Sequence, residues 1–170
     1  MQEQQQQDIF NQWIGQYKAL LFKVLRAYAF NPTDQEDLFQ EIAIQLWRSI
    51  PSFSQRSSET TWIYKVALNT ALNWNRKERK HQAGRESIPE SESLLQSSDY
   101  VPDERLVWLY EQIAQMHELD RSLCLLMLDG FSYKEMSQMM GLSESNIGVK
   151  LHRIKKQLSS QAQKINSYEL

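Results

Sequence analysis

The 170-residue chain is 41% hydrophobic and 24% charged with a net charge of −2, which allows one domain or two small ones with modest cores. A single cysteine, Cys124, excludes an intramolecular disulfide and fits a reducing compartment; three scattered histidines, His81, His117 and His152, offer no metal-ligand spacing, so neither metal nor cofactor is expected. No apolar run approaches the roughly 20 residues that cross a bilayer, and the Gln-rich start has no basic or apolar signal region, so a soluble cytoplasmic protein without membrane insertion is expected.

In chain order, a polar tail precedes a helical pattern from about Asp8 to Ala29, in which Ile9, Trp13, Tyr17, Leu20, Leu21, Val24, Leu25 and Tyr28 recur every three or four residues. Nothing in that stripe asks for chemistry. Asn31 to Asp34 reads as a turn, with Asp34 placed to cap a helix that runs to about Ile50, before Pro51. Leu38, Phe39, Ile42, Leu46 and Trp47 form its expected buried stripe, while Gln40, Glu41, Gln45 and Arg48 point elsewhere. A Ser-rich loop with one aromatic, Phe53, covers Pro51 to Glu59.

The stretch from Thr61 to Lys80 is a helix with two unlike faces. Ile63, Val66, Ala67, Thr70 and Trp74 fall on one side, and Lys65, Asn69, Asn73, Arg76 and Lys80 on the other. With Trp62 near its start, the second face can meet phosphates, base edges and unstacked bases. The plainer reading is a solvated face beside a polar linker, although such faces usually mix both signs.

Periodicity fails from His81 to Val101, a stretch rich in Ser and acids that reads as a flexible linker between two domains, or else as a loop within one. Beyond it, Pro102 to about Met116 carries Leu106, Leu109, Tyr110 and Ile113 inward, and Arg121 to Asp129 is apolar enough to be buried, with Gly130 as its stop. Ser132 and Glu135 form a capping box for a short helix through Met140, Gly141-Leu142-Ser143 turns the chain, and Ser143 caps a last helix. That helix sets Ile147, Leu151, Ile154 and Leu158 inward, and Ser145, Asn146, Val149, Lys150, Arg153 and Lys156 outward. Short helix, Gly-containing turn and basic second helix make a helix-turn-helix able to enter a major groove; its alternative is a helical hairpin with a solvated basic face.

Charge is distributed in blocks. Residues 48–85 hold eight basic and two acidic residues, 86–120 hold one and nine, and 121–170 hold seven and four. A free-standing DNA binder gains from being basic throughout, because counterion release supplies most non-specific affinity. Here any DNA contact is expected to be local and assisted.

Three stretches in this order carry a resemblance: Asp34 to Glu41 with Leu46-Trp47, Thr61 to Thr70, and Asp129 to Met136 with Leu151 to Lys156. Together they are similar to the extracytoplasmic-function group of the bacterial sigma-70 family. The resemblance implies an all-helical protein of two small domains, a sigma region 2 bundle over 1–82 and a sigma region 4 helix-turn-helix over 102–170, joined by an acidic linker over 83–101. It implies RNA polymerase core enzyme and promoter DNA as partners, a cognate anti-sigma factor as a third, and promoter recognition, DNA melting and transcription initiation, without ATP, as the function. By the same resemblance Asp37, Gln40, Glu41, Gln45 and Arg48 would dock on the largest polymerase subunit. Phe53, Trp62, Lys65, Asn69, Asn73, Arg76 and Lys80 would open and read the minus-ten element, with the Phe53 loop capturing a flipped base. Ser143, Ser145, Asn146, Val149, Lys150, Arg153 and Lys156 would read the minus-thirty-five element.

The chain departs from the family pattern at Gly148, where a basic residue is frequent, and at Leu119-Asp120, where Leu-Pro is frequent, so the promoter sequence is not fixed by resemblance. The competing readings are a helix-turn-helix regulator that binds operator DNA without polymerase and a helical adaptor that binds only protein. No paired carboxylates, nucleophile constellation or phosphate-binding Gly loop points to an enzyme.

Overall fold

A computed structural model of the chain describes residues 2–82 and 103–168. The acidic linker expected over 83–101 lies outside the described residues. The chain divides at the 103/104 junction into two compact units, and every regular element among the described residues is helical.

The first unit comprises α1 (Glu3–Gln16), α2 (Lys18–Tyr28), α3 (Pro32–Ser49), a 3-10 turn (Ile50–Ser52) and α4 (Glu59–Gln82). The chain is helical from Glu3, so the expected polar tail is instead the first turn of a helix. Gln is a good helix former, and amide side chains bridge successive turns, Gln4 to Asp8 at 3.2 Å and Gln7 to Asn11 at 3.0 Å. The single helix expected over 8–29 is broken at Tyr17 (φ −102°, ψ 18°). Periodicity cannot reveal that bend, because the apolar spacing continues across it. The Tyr17 hydroxyl donates to Glu59 Oε2 at 3.2 Å, tying the bend to the start of α4.

The cap of α3 is Asn31, not Asp34: its side-chain oxygen accepts from the Asp34 N–H at 2.8 Å, while Pro32 occupies the first helical turn, where no N–H is missed. Leu38, Ile42 and Leu46 are fully buried, but Phe39 is 36% exposed. One residue on from Leu38 is a rotation of roughly 100°, which carries Phe39 off the buried stripe. On α4 the buried set is Ile63, Tyr64, Ala67, Leu68, Ala71 and Leu72. Val66, Thr70 and Trp74, expected in the core, are half-buried on its flank. The inward face therefore lies roughly a quarter turn from the expected one.

The second unit comprises α5 (Glu104–Gln115), α6 (Glu118–Leu128), α7 (Tyr133–Met140) and α8 (Glu144–Tyr168). Ile113, Leu123, Leu126, Met136, Ile147 and Leu151 are buried at its centre, while Leu106, expected inward, is 39% exposed. Helix α6 starts at Glu118, so Asp120 lies in its first turn and not before it. Arg121 donates from Nε to the Met116 carbonyl at 2.9 Å and from Nη2 to the Ala114 carbonyl at 2.8 Å, satisfying the open C-terminus of α5. Burial pushes the Cys124 thiol up to about 11, which keeps it protonated and inert. Gly130 (φ +81°) and Gly141 (φ +69°) stop α6 and α7 in the left-handed region.

Because Ile42 is fully buried and Ile44 on the same helix is 44% exposed, the two substitutions separate core from surface. Ile42→Ala is expected to lower stability by about 3 kcal/mol, and Ile44→Ala by less than about 0.5 kcal/mol, both read by urea unfolding followed by circular dichroism.

Candidate nucleic-acid interface

The long exposed stripe of α4 is a consequence of where its apolar residues lie. With the core on one side, Lys65, Asn69, Asn73, Arg76 and Lys80 all emerge into solvent on the opposite side. Between α4 and α3 runs a groove of about 710 Å³. Its α3 wall carries Asp37, Gln40, Glu41, Gln45 and Arg48, and its α4 wall carries Asn69, Asn73, Lys77 and Glu78. The structure thus brings all five α3 candidates alongside two of the α4 candidates, with the half-buried Val66, Thr70 and Trp74 on the α4 flank.

Trp62 stands at the N-terminal end of the stripe and is fixed by α3. Its indole Nε1–H donates to Ser49 Oγ at 3.1 Å, and the Ser49 hydroxyl donates to the Leu46 carbonyl at 2.8 Å, at the end of α3. Phe53 does not project from its loop. Its ring lies 5.6 Å from that of Trp62 and 5.4 Å from that of the fully buried Trp13, the latter edge to face at 80°. The arrangement Trp13–Phe53–Trp62 stitches α1, the loop and α4 together. Helix α1 also braces the end of α3: Gln6 Nε2 donates to the Trp47 carbonyl at 2.8 Å, and Phe10 meets the Trp47 ring at 5.5 Å.

Beyond Phe53 the outermost side chains of the loop are Ser54, Gln55 and Arg56, with Gln55 at φ +57°. Sequence reasoning passed over Gln55 and Arg56; an amide and a cation set between serines, beside the single aromatic Phe53, were the available signal. Ser58 closes the loop by accepting from the Thr61 N–H at 3.1 Å, which makes it the cap of α4.

In the second unit the expected local grammar is present in atomic detail. Ser132 Oγ accepts from the Glu135 N–H at 3.2 Å, and the Glu135 carboxylate accepts from the Ser132 N–H at 2.7 Å. The Ser132 backbone bond, followed by its hydroxyl, holds the Glu135 carboxyl below its ordinary 4.5. Ser143 Oγ accepts from the Asn146 N–H at 3.1 Å, so this candidate is engaged in capping α8. Ser145, Asn146, Val149, Arg153 and Lys156 are exposed, while Lys150 is half-buried and pairs with Asp120 at 3.3 Å. Gly148 sits against the Tyr133 ring: a Cβ there would lie 3.4 Å from Tyr133 Cε2, an ordinary contact. Among the described residues no group of three His, Cys, Asp or Glu is placed to hold a metal, and no helix is long and apolar enough to cross a membrane.

Comparison with known proteins matches both units. The family model for sigma-70 region 2 matches residues 13–81, and that for sigma-70 region 4 matches residues 106–158. The chain is 27% identical over 170 residues to the RNA polymerase sigma factor YlaC of Bacillus subtilis, covering 96% of this chain and 95% of that one. It is 28% identical over 148 residues to the ECF RNA polymerase sigma factor SigX of the same organism, covering 81% and 75%. In fold it is similar to the sigma factor RpoE of Bartonella quintana, solved in complex with the anti-sigma factor NepR, with a TM-score of 0.72 at 20% identity over 91% of this chain and 96% of that one.

The contact that a Cβ at Gly148 would make with the Tyr133 ring yields a stability test. Gly148→Ala is expected to raise stability by about 1 kcal/mol, the helix-interior difference between the two residues, seen as a higher Tm. A lower Tm would mean that the Tyr133 ring cannot accommodate the added methyl.

Proposed function

Since the chain belongs to the extracytoplasmic-function group of the sigma-70 family, we propose that it directs RNA polymerase to promoters with each helical unit handling a separate contact. Sigma factors are transcription initiation factors rather than catalysts, and the chemistry required of this chain is docking, reading and holding. The observation that carries the proposal is the α3–α4 groove, where a polar wall on α3 faces the amides Asn69 and Asn73 of the α4 stripe.

In this reading Asp37, Gln40, Glu41, Gln45 and Arg48 on α3 meet core polymerase, and Lys65, Asn69, Asn73, Arg76 and Lys80 on α4 meet the minus-ten strand. Cations neutralise phosphates and amides pair with base edges. Trp62, with part of its ring exposed and its nitrogen anchored on Ser49, offers an unstacked base a surface worth about 1 to 3 kcal/mol. Phe53 supports Trp62 from behind, which leaves Gln55 and Arg56 as the loop side chains that reach a flipped base. In the second unit Ser145, Asn146, Val149, Arg153 and Lys156 on α8 face the minus-thirty-five element, and Ser143 shapes the helix entry. The reading assigns region 2 to residues 1–82 and region 4 to residues 102–170, with the linker between them. The small negative charge of the whole chain fits a protein that reaches DNA as part of a larger complex. A cognate anti-sigma factor is proposed as a further partner, as for the RpoE relative solved with NepR.

Transcription by purified core polymerase on genomic DNA, with and without this chain, tests the reading when the transcripts are sequenced. The expected result is a small set of new start sites that share upstream elements. No added start sites would contradict it. Within that assay, Trp62→Ala and Asn69→Ala are expected to reduce promoter opening at least tenfold, about 1.4 kcal/mol or more, with core binding unchanged. Equal loss of both activities would remove the assigned roles.

A further inference from the structure

Lys150 differs from Arg153, Lys155 and Lys156 of the same helix. Arg153, Lys155 and Lys156 form no ion pair among the described residues, whereas Lys150 Nζ lies 3.3 Å from Asp120 Oδ1. The two side chains keep 27% and 29% of their surface exposed, so the pair is only partly screened by solvent. Lys150 lies four residues after Asn146 and three before Arg153, which places all three on one flank of the helix. Asp120, from the first turn of α6, sets a carboxylate against the edge of that flank.

We propose that Asp120 is an affinity brake on promoter contact: it holds the Lys150 ammonium, so the helix engages DNA with one fewer phosphate contact than its basic flank could make. The inference rests on the second unit being a DNA-reading module, and it adds a residue outside the helix-turn-helix that sets how tightly the module binds. Each phosphate neutralised on duplex DNA releases about 0.9 counterion. A lysine already neutralised by a carboxylate must first surrender that partner, and so contributes little to the salt-dependent part of affinity. The brake suits a chain whose DNA binding is useful only within a larger assembly, because it lowers occupancy of arbitrary sequence by the free protein.

The experiment measures binding of the full-length chain to a mixed-sequence duplex, and of its complex with core polymerase to promoter fragments recovered by transcript sequencing, across a salt series. Asp120→Asn and Asp120→Ser are both expected to tighten binding about fivefold at 0.15 M salt and to steepen the log–log salt slope by about 0.9, the effect of one added phosphate contact. In a Lys150→Ala background the same changes are expected to shift affinity less than twofold. Thermal unfolding of each variant confirms that the fold persists at the assay temperature. Unchanged or weaker binding in both Asp120 variants would overturn the proposal, as would an undiminished gain without Lys150. Because the mixed-sequence duplex reads charge alone, failure of the wild-type complex to select start sites would sink the functional reading while leaving the brake to stand or fall on its own data.

Discussion

The packing of α3 against α4 is the constraint on which the first unit depends. Leu38, Ile42 and Leu46 from one helix and Ile63, Ala67, Leu68 and Ala71 from the other have essentially no solvent exposure. Burying a large aliphatic side chain stabilises by about 1.5 to 3 kcal/mol, and the alanines leave room for neighbouring helices to approach α4. Once those residues are committed, the remaining surfaces are fixed. The polar residues of α3 and Asn69, Asn73 and Lys77 of α4 line the two walls of one groove, and Lys65, Arg76 and Lys80 emerge outside it. Two polar walls are thereby held at a set spacing by a single apolar seam.

Around that seam the aromatic residues act as braces. Trp13, Phe53 and Trp62 form a continuous edge-and-tilt contact, and Ser49 relays the Trp62 N–H to the end of α3. The loop that follows α3 is therefore anchored at its root and exposed at its tip. Such a division leaves a few side chains exposed on a backbone held at its root.

What could be read from the sequence was what local chemistry decides. The Ser132–Glu135 box, the Gly141 turn and the Ser143 cap each need only residues a few positions apart, and all three occur with the expected bonds. The cation and amide stripe of α4 likewise follows from helical spacing alone. Features set by distant residues were not legible. Phe53 looks like a free loop aromatic until Trp13, forty residues earlier, is placed beside it. Nothing local distinguishes Lys150 from Arg153, since its partner Asp120 comes from another helix. The bend at Tyr17 and the true inward face of α4 were hidden for a related reason: apolar periodicity reports that a helix is buried, but several nearby faces of α4 carry apolar residues and only its neighbours choose among them.

The claim at the centre of this account is that one groove separates a polymerase-facing wall from a DNA-facing one. Site-specific photocrosslinking in the promoter complex tests it most directly, with a photoreactive side chain placed at Gln45 in one sample and at Asn73 in another. The account predicts that the Gln45 probe joins the largest polymerase subunit and the Asn73 probe joins minus-ten DNA. Both probes joining the same partner, or neither joining any, would contradict it.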